Sequence, residues 1–66
     1  SPEKALLDLL YLYPFYNTMD ELEELRLDED FLHDDLDLDL LKEYSLRFEN
    51  KALERRVQLL INTYNL

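Results

Sequence analysis

The chain contains no cysteine. No disulfide can cross-link it, and no thiolate is available as a nucleophile or metal ligand. That suits a reducing compartment, and a cytoplasmic location is expected. Glycine is absent too, which argues against hairpins whose turns need positive φ and against loops that cradle phosphate. No apolar run approaches the ~20 residues of a membrane span. No charged, apolar and small-residue pattern opens the chain as a signal peptide would. No membrane partner is therefore expected. Bases are scarce: seven Lys and Arg stand against sixteen Asp and Glu, giving a formal net charge of −9.

The acidity belongs to one stretch. Residues 19–41 hold eleven acids against one base, Arg26, and carry −10, while the rest of the chain is nearly neutral at +1. A nucleic-acid groove needs the opposite sign, so no nucleic acid is expected to bind here. What is plentiful is apolar: 47% of the 66 residues are hydrophobic. That is ample for a packed core despite the charge. A domain of about 60 residues nevertheless buries only about 60% of the surface its unfolded chain exposes.

Helical signals fill the chain. Ser1 suits an N-cap, Pro2 the first helical position, and Glu3 the positive end of the helix dipole. Pro14 closes this first helix, predicted over 2–13, by disfavouring helical geometry at Tyr13. Between these marks only Lys4 and Asp8 interrupt Ala5, Leu6, Leu7, Leu9, Leu10, Tyr11, Leu12 and Tyr13. A helix so apolar is normally buried from several directions. The lack of an initiator Met adds to the expectation of a domain cut from a longer chain.

Thr18, with Glu21 three residues later, forms a capping-box pattern opening a short helix to about Leu25, with Met19, Leu22 and Leu25 on one side. Asp28 suits the cap of a one-turn helix through His33, with Phe31 and Leu32 inward. The run Leu36–Leu40 alternates like a strand. Asp37 is nonetheless a good N-cap for a helix carrying Leu38, Leu41, Tyr44, Ser45 and Phe48 at helical spacing. Asn50 either ends that helix in a left-handed conformation or caps the next. The last helix, 51–64, bears a stripe of Leu53, Val57, Leu60, Ile61 and Tyr64. The fold expected is all-α, a compact bundle of four to five short helices forming a single domain over residues 1–66, with 2–13 and 51–64 as its main packing pair.

Candidate chemistry is thin. A calcium loop starting at Asp28 or Asp35 would place His33 or Leu40 where glycine is required. It would also place Asp39 or Leu46 where a bidentate Glu is required. The acids are better read as a solvated face with helix caps. His33 is the only histidine, with no second His or Cys to complete a zinc site. Ser1, Thr18, Ser45 and Thr63 find no His–acid arrangement, and no carboxylate stands apart as a general acid or base. No catalytic residue, metal ligand or cofactor is assigned, and the chain is not expected to be an enzyme. Lys51, Arg55 and Arg56 are the only basic grouping. Tyr11, Tyr13, Phe15 and Tyr16 cluster at the end of the first helix among leucines and acids, not bases. That favours core packing or an aromatic protein–protein contact over base stacking. These four are the candidate partner-binding residues.

Ser1-Pro-Glu-Lys-Ala-Leu-Leu-Asp-Leu-Leu-Tyr-Leu12 resembles a segment of the AbiEi abortive-infection antitoxins of type IV toxin–antitoxin systems and related bacterial transcriptional regulators. The resemblance continues through Glu23-Glu-Leu-Arg-Leu27, Leu38-Asp-Leu-Leu-Lys-Glu-Tyr44 and Asn50-Lys-Ala-Leu-Glu-Arg-Arg-Val57. In that family the opening run lies beyond an N-terminal winged helix, which this chain lacks. The resemblance implies a regulator that represses its own operon and opposes a toxin resembling a nucleotidyltransferase. With no winged helix, DNA binding falls on none of these residues. What remains is a helical module that binds the cognate toxin or the rest of its parent chain. The alternatives are a structural spacer or dimerisation scaffold for the neighbouring DNA-binding domain, and an acidic inhibitor that mimics nucleic acid through residues 19–41.

Overall fold

Each helix starts where a short polar side chain turns back onto it. The computed structural model describes residues 1–66. In it the Ser1 hydroxyl accepts the Lys4 N–H (3.2 Å) and opens α1, Pro2–Leu12. Thr18 accepts the Glu21 N–H (3.2 Å) and opens α2, Met19–Glu24. Asp37 accepts the Leu40 N–H (3.0 Å) for α3, Leu38–Arg47, and Asn50 the Leu53 N–H (3.0 Å) for α4, Lys51–Thr63. Between α2 and α3, residues Phe31–Asp35 wind into a π-helical turn. The Asp28 carboxylate precedes it, accepting from the N–H groups of Asp30 and Phe31. There is no strand. Asp37 breaks the alternation of Leu36–Leu40 and commits its second half to α3. The fold is a compact all-α bundle of short helices. Its 10.7 Å radius of gyration equals the roughly 11 Å expected of a folded chain this long.

The elements bury one cluster. Leu6, Leu7 and Leu10 of α1 meet Leu22, Leu32, Leu36 and Leu41, and the α4 stripe of Leu53, Val57, Leu60, Ile61 and Tyr64 completes it. The whole predicted α4 stripe is inside. Two expectations need correction. The most extensive pairing is α1 with α3, ahead of α1 with α4. The hydrophobic stripes alone do not reveal this, because two further contacts add to it: Glu3 accepts a hydrogen bond at the start of α3, and the Tyr11 ring meets Phe48 at a tilt just past its end. Met19 is also not inward. It occupies the first position of a six-residue helix whose single buried side chain is Leu22.

Without glycine, three other residues take the left-handed positions: Arg26 (φ 49°), Glu49 (φ 51°) and Asn65 (φ 57°). Of the two roles open to Asn50, it caps α4, and Glu49 takes the left-handed turn. Asn65 makes possible the Leu66 N–H bond back to the Ile61 carbonyl (2.9 Å), a helix-ending motif usually built on glycine.

Three long-range bonds lock the helices together. Glu3, only 5% exposed, accepts the Asp37 N–H (3.1 Å). The Tyr64 hydroxyl donates to the Leu22 carbonyl at the end of α2 (2.7 Å). Arg56, 6% exposed, donates from Nη2 to the Leu10 carbonyl (3.1 Å). That carbonyl would normally receive the N–H of residue 14. Residue 14 is proline and has none, so α4 supplies the donor that Pro14 withholds. No helix is long and apolar enough to cross a membrane.

Candidate protein-binding surface

On α1 the inner face carries Glu3, Leu6, Leu7 and Leu10, all buried. A second stripe, Ala5, Leu9 and Leu12 at i, i+4 and i+7, lies toward the opposite side of a 3.6-residue helix. Leu9 is half-buried against the core, while Ala5 and Leu12 are exposed. The apolar excess read in the sequence is therefore only half absorbed by the fold.

The rest of the excess gathers at the corner between α1 and α2. Leu12, Tyr13, Phe15 and Met19 are 66%, 55%, 60% and 46% exposed. The corner is held by its own backbone: Tyr13 N–H donates to Leu9 O (3.0 Å), Tyr16 N–H to Tyr13 O (3.2 Å), and Asn17 N–H to Phe15 O (2.9 Å). Phe15 meets Tyr16 edge to face, centroids 5.2 Å apart, and Tyr16 in turn packs against the core. The exposed ring is thus buttressed by a half-buried one, which lowers the entropy a partner must remove to use it.

The four aromatics singled out in the sequence do not form one patch. Tyr13 and Phe15 are on the corner. Tyr16 is its support. Tyr11 rests on Phe48 (5.4 Å), whose ring also lies 5.5 Å from the Lys4 ammonium. Nearby, Ser1, Lys4, Tyr44, Arg47 and Phe48 line an open cleft of about 390 Å³ between α1 and α3. Its two cations are already paired, Lys4 with Asp8 and Arg47 with Glu43, both at 2.7 Å. Sequence reasoning missed Leu12 and Met19. The signal for Leu12 was present, since it shares the outer stripe with Ala5 and Leu9. Met19 was hidden by its spacing to Leu22.

Those two ion pairs are the only ones. Asp20, Glu21, Glu23 and Glu24 of α2, immediately beyond the corner, are not neutralised by any base. Glu21 is held closest: its carboxylate accepts from the Thr18 hydroxyl (3.0 Å) and the Asn17 N–H (3.4 Å). The corner is therefore apolar at its centre and acidic along one side.

Elsewhere the polar groups serve the fold. No three His, Asp or Glu side chains converge where a metal could be held. Thr18 caps α2, Ser45 donates to the Lys42 carbonyl (2.8 Å), and Thr63 donates to the Leu59 carbonyl (2.7 Å). Of the basic grouping, Lys51 and Arg55 are exposed, but Arg56 is inside and spent on α1. Comparison with protein-family models, curated proteins and solved structures finds nothing that matches this chain.

Proposed function

We propose that this chain is a non-catalytic protein-interaction module of an antitoxin-like transcriptional regulator, one that opposes a nucleotidyltransferase-like toxin. The observation that carries the protein-binding part is the exposed corner of Leu12, Tyr13, Phe15 and Met19 on a scaffold whose inner faces are already packed. Aromatics and Met on a rigid support are the residues that dominate protein interfaces. The antitoxin part rests on the Ser1–Leu12 resemblance and on the helical segments that extend it. The test is co-purification of the full-length parent with the product of the adjacent gene, with and without Phe15→Ser. The reading requires a stable pair that the substitution weakens. A parent without a winged helix, or an adjacent gene product that never binds, overturns it. A spacer or dimerisation scaffold is the alternative, since the same corner would also suit a neighbouring domain of the parent. Deleting residues 1–66 separates the two: loss of DNA binding and dimerisation together, with no toxin partner found, supports the scaffold.

A further inference from the structure

The α1–α2 corner has four classes of possible occupant: a second copy of the chain, an anionic membrane surface, a nucleic acid, or another protein. The acids beside it choose among them. Asp20, Glu21, Glu23 and Glu24 lie within nine residues of Phe15 in sequence, have no ion-pair partner, and are followed by more acids up to Asp39. Glu21 is fixed at the corner itself by its bond to the Asn17 N–H. Met19 of the corner is itself the first residue of α2, directly followed by Asp20 and Glu21, so a segment seated there meets their charge with the least screening, which physiological salt completes only beyond about 8 Å. A second copy meeting corner to corner about a two-fold axis would bring one acidic α2 against another. Phosphate-bearing surfaces, lipid or nucleic acid, would be repelled in the same way. The apolar centre in turn excludes a purely electrostatic partner, because Leu12 and Phe15 gain nothing from one.

Resting on the protein-binding reading above, we infer that the corner takes a basic amphipathic protein segment, seating apolar side chains on Leu12, Tyr13, Phe15 and Met19 and setting Lys or Arg against the acids of α2. The apolar contact supplies affinity, and the acids supply steering and choice of partner. This differs from nucleic-acid mimicry, in which the acids would act without the corner.

The test uses the 66-residue chain and three synthetic helical peptides, each about five turns long. One is amphipathic with Leu and Lys, the second amphipathic with Leu and Glu, and the third all-polar with Ser and Lys. Binding is followed by isothermal calorimetry and by NMR shifts at Phe15 and Met19. The Leu/Lys peptide is expected to bind alone, with shifts at the corner. Phe15→Ser is expected to weaken it about 30-fold, the loss typical of a central interface residue. Reversing α2 with Asp20→Lys and Glu24→Lys is expected to weaken it several-fold, chiefly through the association rate. Phe15, Asp20 and Glu24 are all exposed, so these variants should keep the helical circular dichroism of the parent, which is measured alongside. Binding of the Leu/Glu peptide as tight as that of Leu/Lys overturns the charge argument. Equal binding of the Ser/Lys peptide, insensitive to Phe15→Ser, assigns the contact to the acids alone and overturns the corner. Sedimentation as a dimer that Phe15→Ser dissociates makes the occupant a second copy. Binding of none overturns the inference outright. If the adjacent gene product binds the parent but ignores salt and the α2 reversal, this inference fails and the antitoxin reading stands. If the Leu/Lys result holds while that product never binds, the reverse is true.

Discussion

Replacing Arg56 by Met tests the most specific claim about how this chain holds together. Arg56 is a guanidinium almost wholly inside an 8.1 kDa protein. It has no carboxylate partner, its Nε has no acceptor, and its Nη2 serves the Leu10 carbonyl. Two terms oppose each other. Removing the charge relieves an unsatisfied buried donor, worth about 1–3 kcal/mol, but strands the Leu10 carbonyl at a similar or somewhat larger cost, because the lost bond came from a charged donor. Met keeps most of the packing volume, so the net loss should be small, about 1 kcal/mol. The sharper quantity is the coupling to Pro14. Pro14→Ala restores a backbone N–H at the position that normally bonds the Leu10 carbonyl and frees Tyr13 to become helical. With Ala at 14, Arg56→Met no longer strands that carbonyl, so the cost of the substitution should fall by about 1–2 kcal/mol or change sign. Urea unfolding followed by circular dichroism at 222 nm reads this as a cycle of four proteins. Any change that Pro14→Ala makes to the unfolded chain cancels around the cycle. At a slope near 1 kcal/mol/M, typical of the smallest domains, the coupling appears as a shift of about 1–2 M in midpoint. Additivity within about 0.3–0.5 kcal/mol would refute the idea that Arg56 replaces the donor missing at Pro14.

Leu10→Ala and Leu60→Ala each remove a fully buried side chain and should cost about 2–5 kcal/mol. Since domains hold about 0.05–0.15 kcal/mol per residue, either variant should show a substantial unfolded fraction in thermal melts, and an unchanged midpoint would remove that residue from the core. Tyr64→Phe deletes the hydroxyl bonded to the Leu22 carbonyl, which also accepts the Leu25 N–H, so the loss should stay near 1 kcal/mol in urea. Glu49→Gly should stabilise by roughly 0.5–1 kcal/mol, because Glu49 is exposed at φ 51° and glycine takes that region without steric cost; a destabilised variant would show that Glu49 is not held left-handed. The chain should not bind duplex DNA measurably at physiological salt in an anisotropy titration. With Arg56 buried, Lys51 and Arg55 release at most about two counterions, and micromolar binding abolished by Lys51→Ala with Arg55→Ala would show that α4 contacts DNA.

What the sequence made legible was local. Ser1, Thr18, Asp37 and Asn50 each act on an N–H three residues ahead, so local spacing marks them, although at Asn50 it left a left-handed helix end equally open. The α4 stripe was equally plain, because four apolar positions share one side of thirteen helical residues and Tyr64, at the cap, continues it. The polar locks were not legible. Arg56 to Leu10 spans 46 positions, Tyr64 to Leu22 spans 42, and Glu3 to Asp37 spans 34. Helical spacing does set Arg56 apart from Arg55: it lies three residues after Leu53 and four before Leu60, on the stripe's side of α4, whereas Arg55 lies opposite. That spacing points Arg56 inward without saying what it bonds. The one clue to its acceptor was negative: Pro14 leaves a carbonyl without its helical donor, and some other element had to provide one.

The candidate surface divides along the same line. An over-apolar α1 could be recognised from composition, but not which of its sides the bundle would cover. Turning the helix so that Leu6, Leu7 and Leu10 face inward also brings Glu3 inward, which is tolerable only because the Asp37 N–H waits there. That rotation leaves Ala5 and Leu12 outside and carries Tyr11 toward Phe48, just past the end of α3. It delivers Tyr13 and Phe15 to a corner where Pro14 prevents the helix from continuing. The exposed aromatics are therefore a consequence of a buried carboxylate and a proline. Glu3→Leu would test this dependence directly. It keeps the inner face apolar but strands the Asp37 N–H, and should loosen the α1–α3 pairing. The effect should appear as faster amide hydrogen exchange in both helices before any change at the α4 cap. Unchanged exchange in α3 would mean that hydrophobic packing alone orients α1, and that the exposure of the corner owes nothing to Glu3.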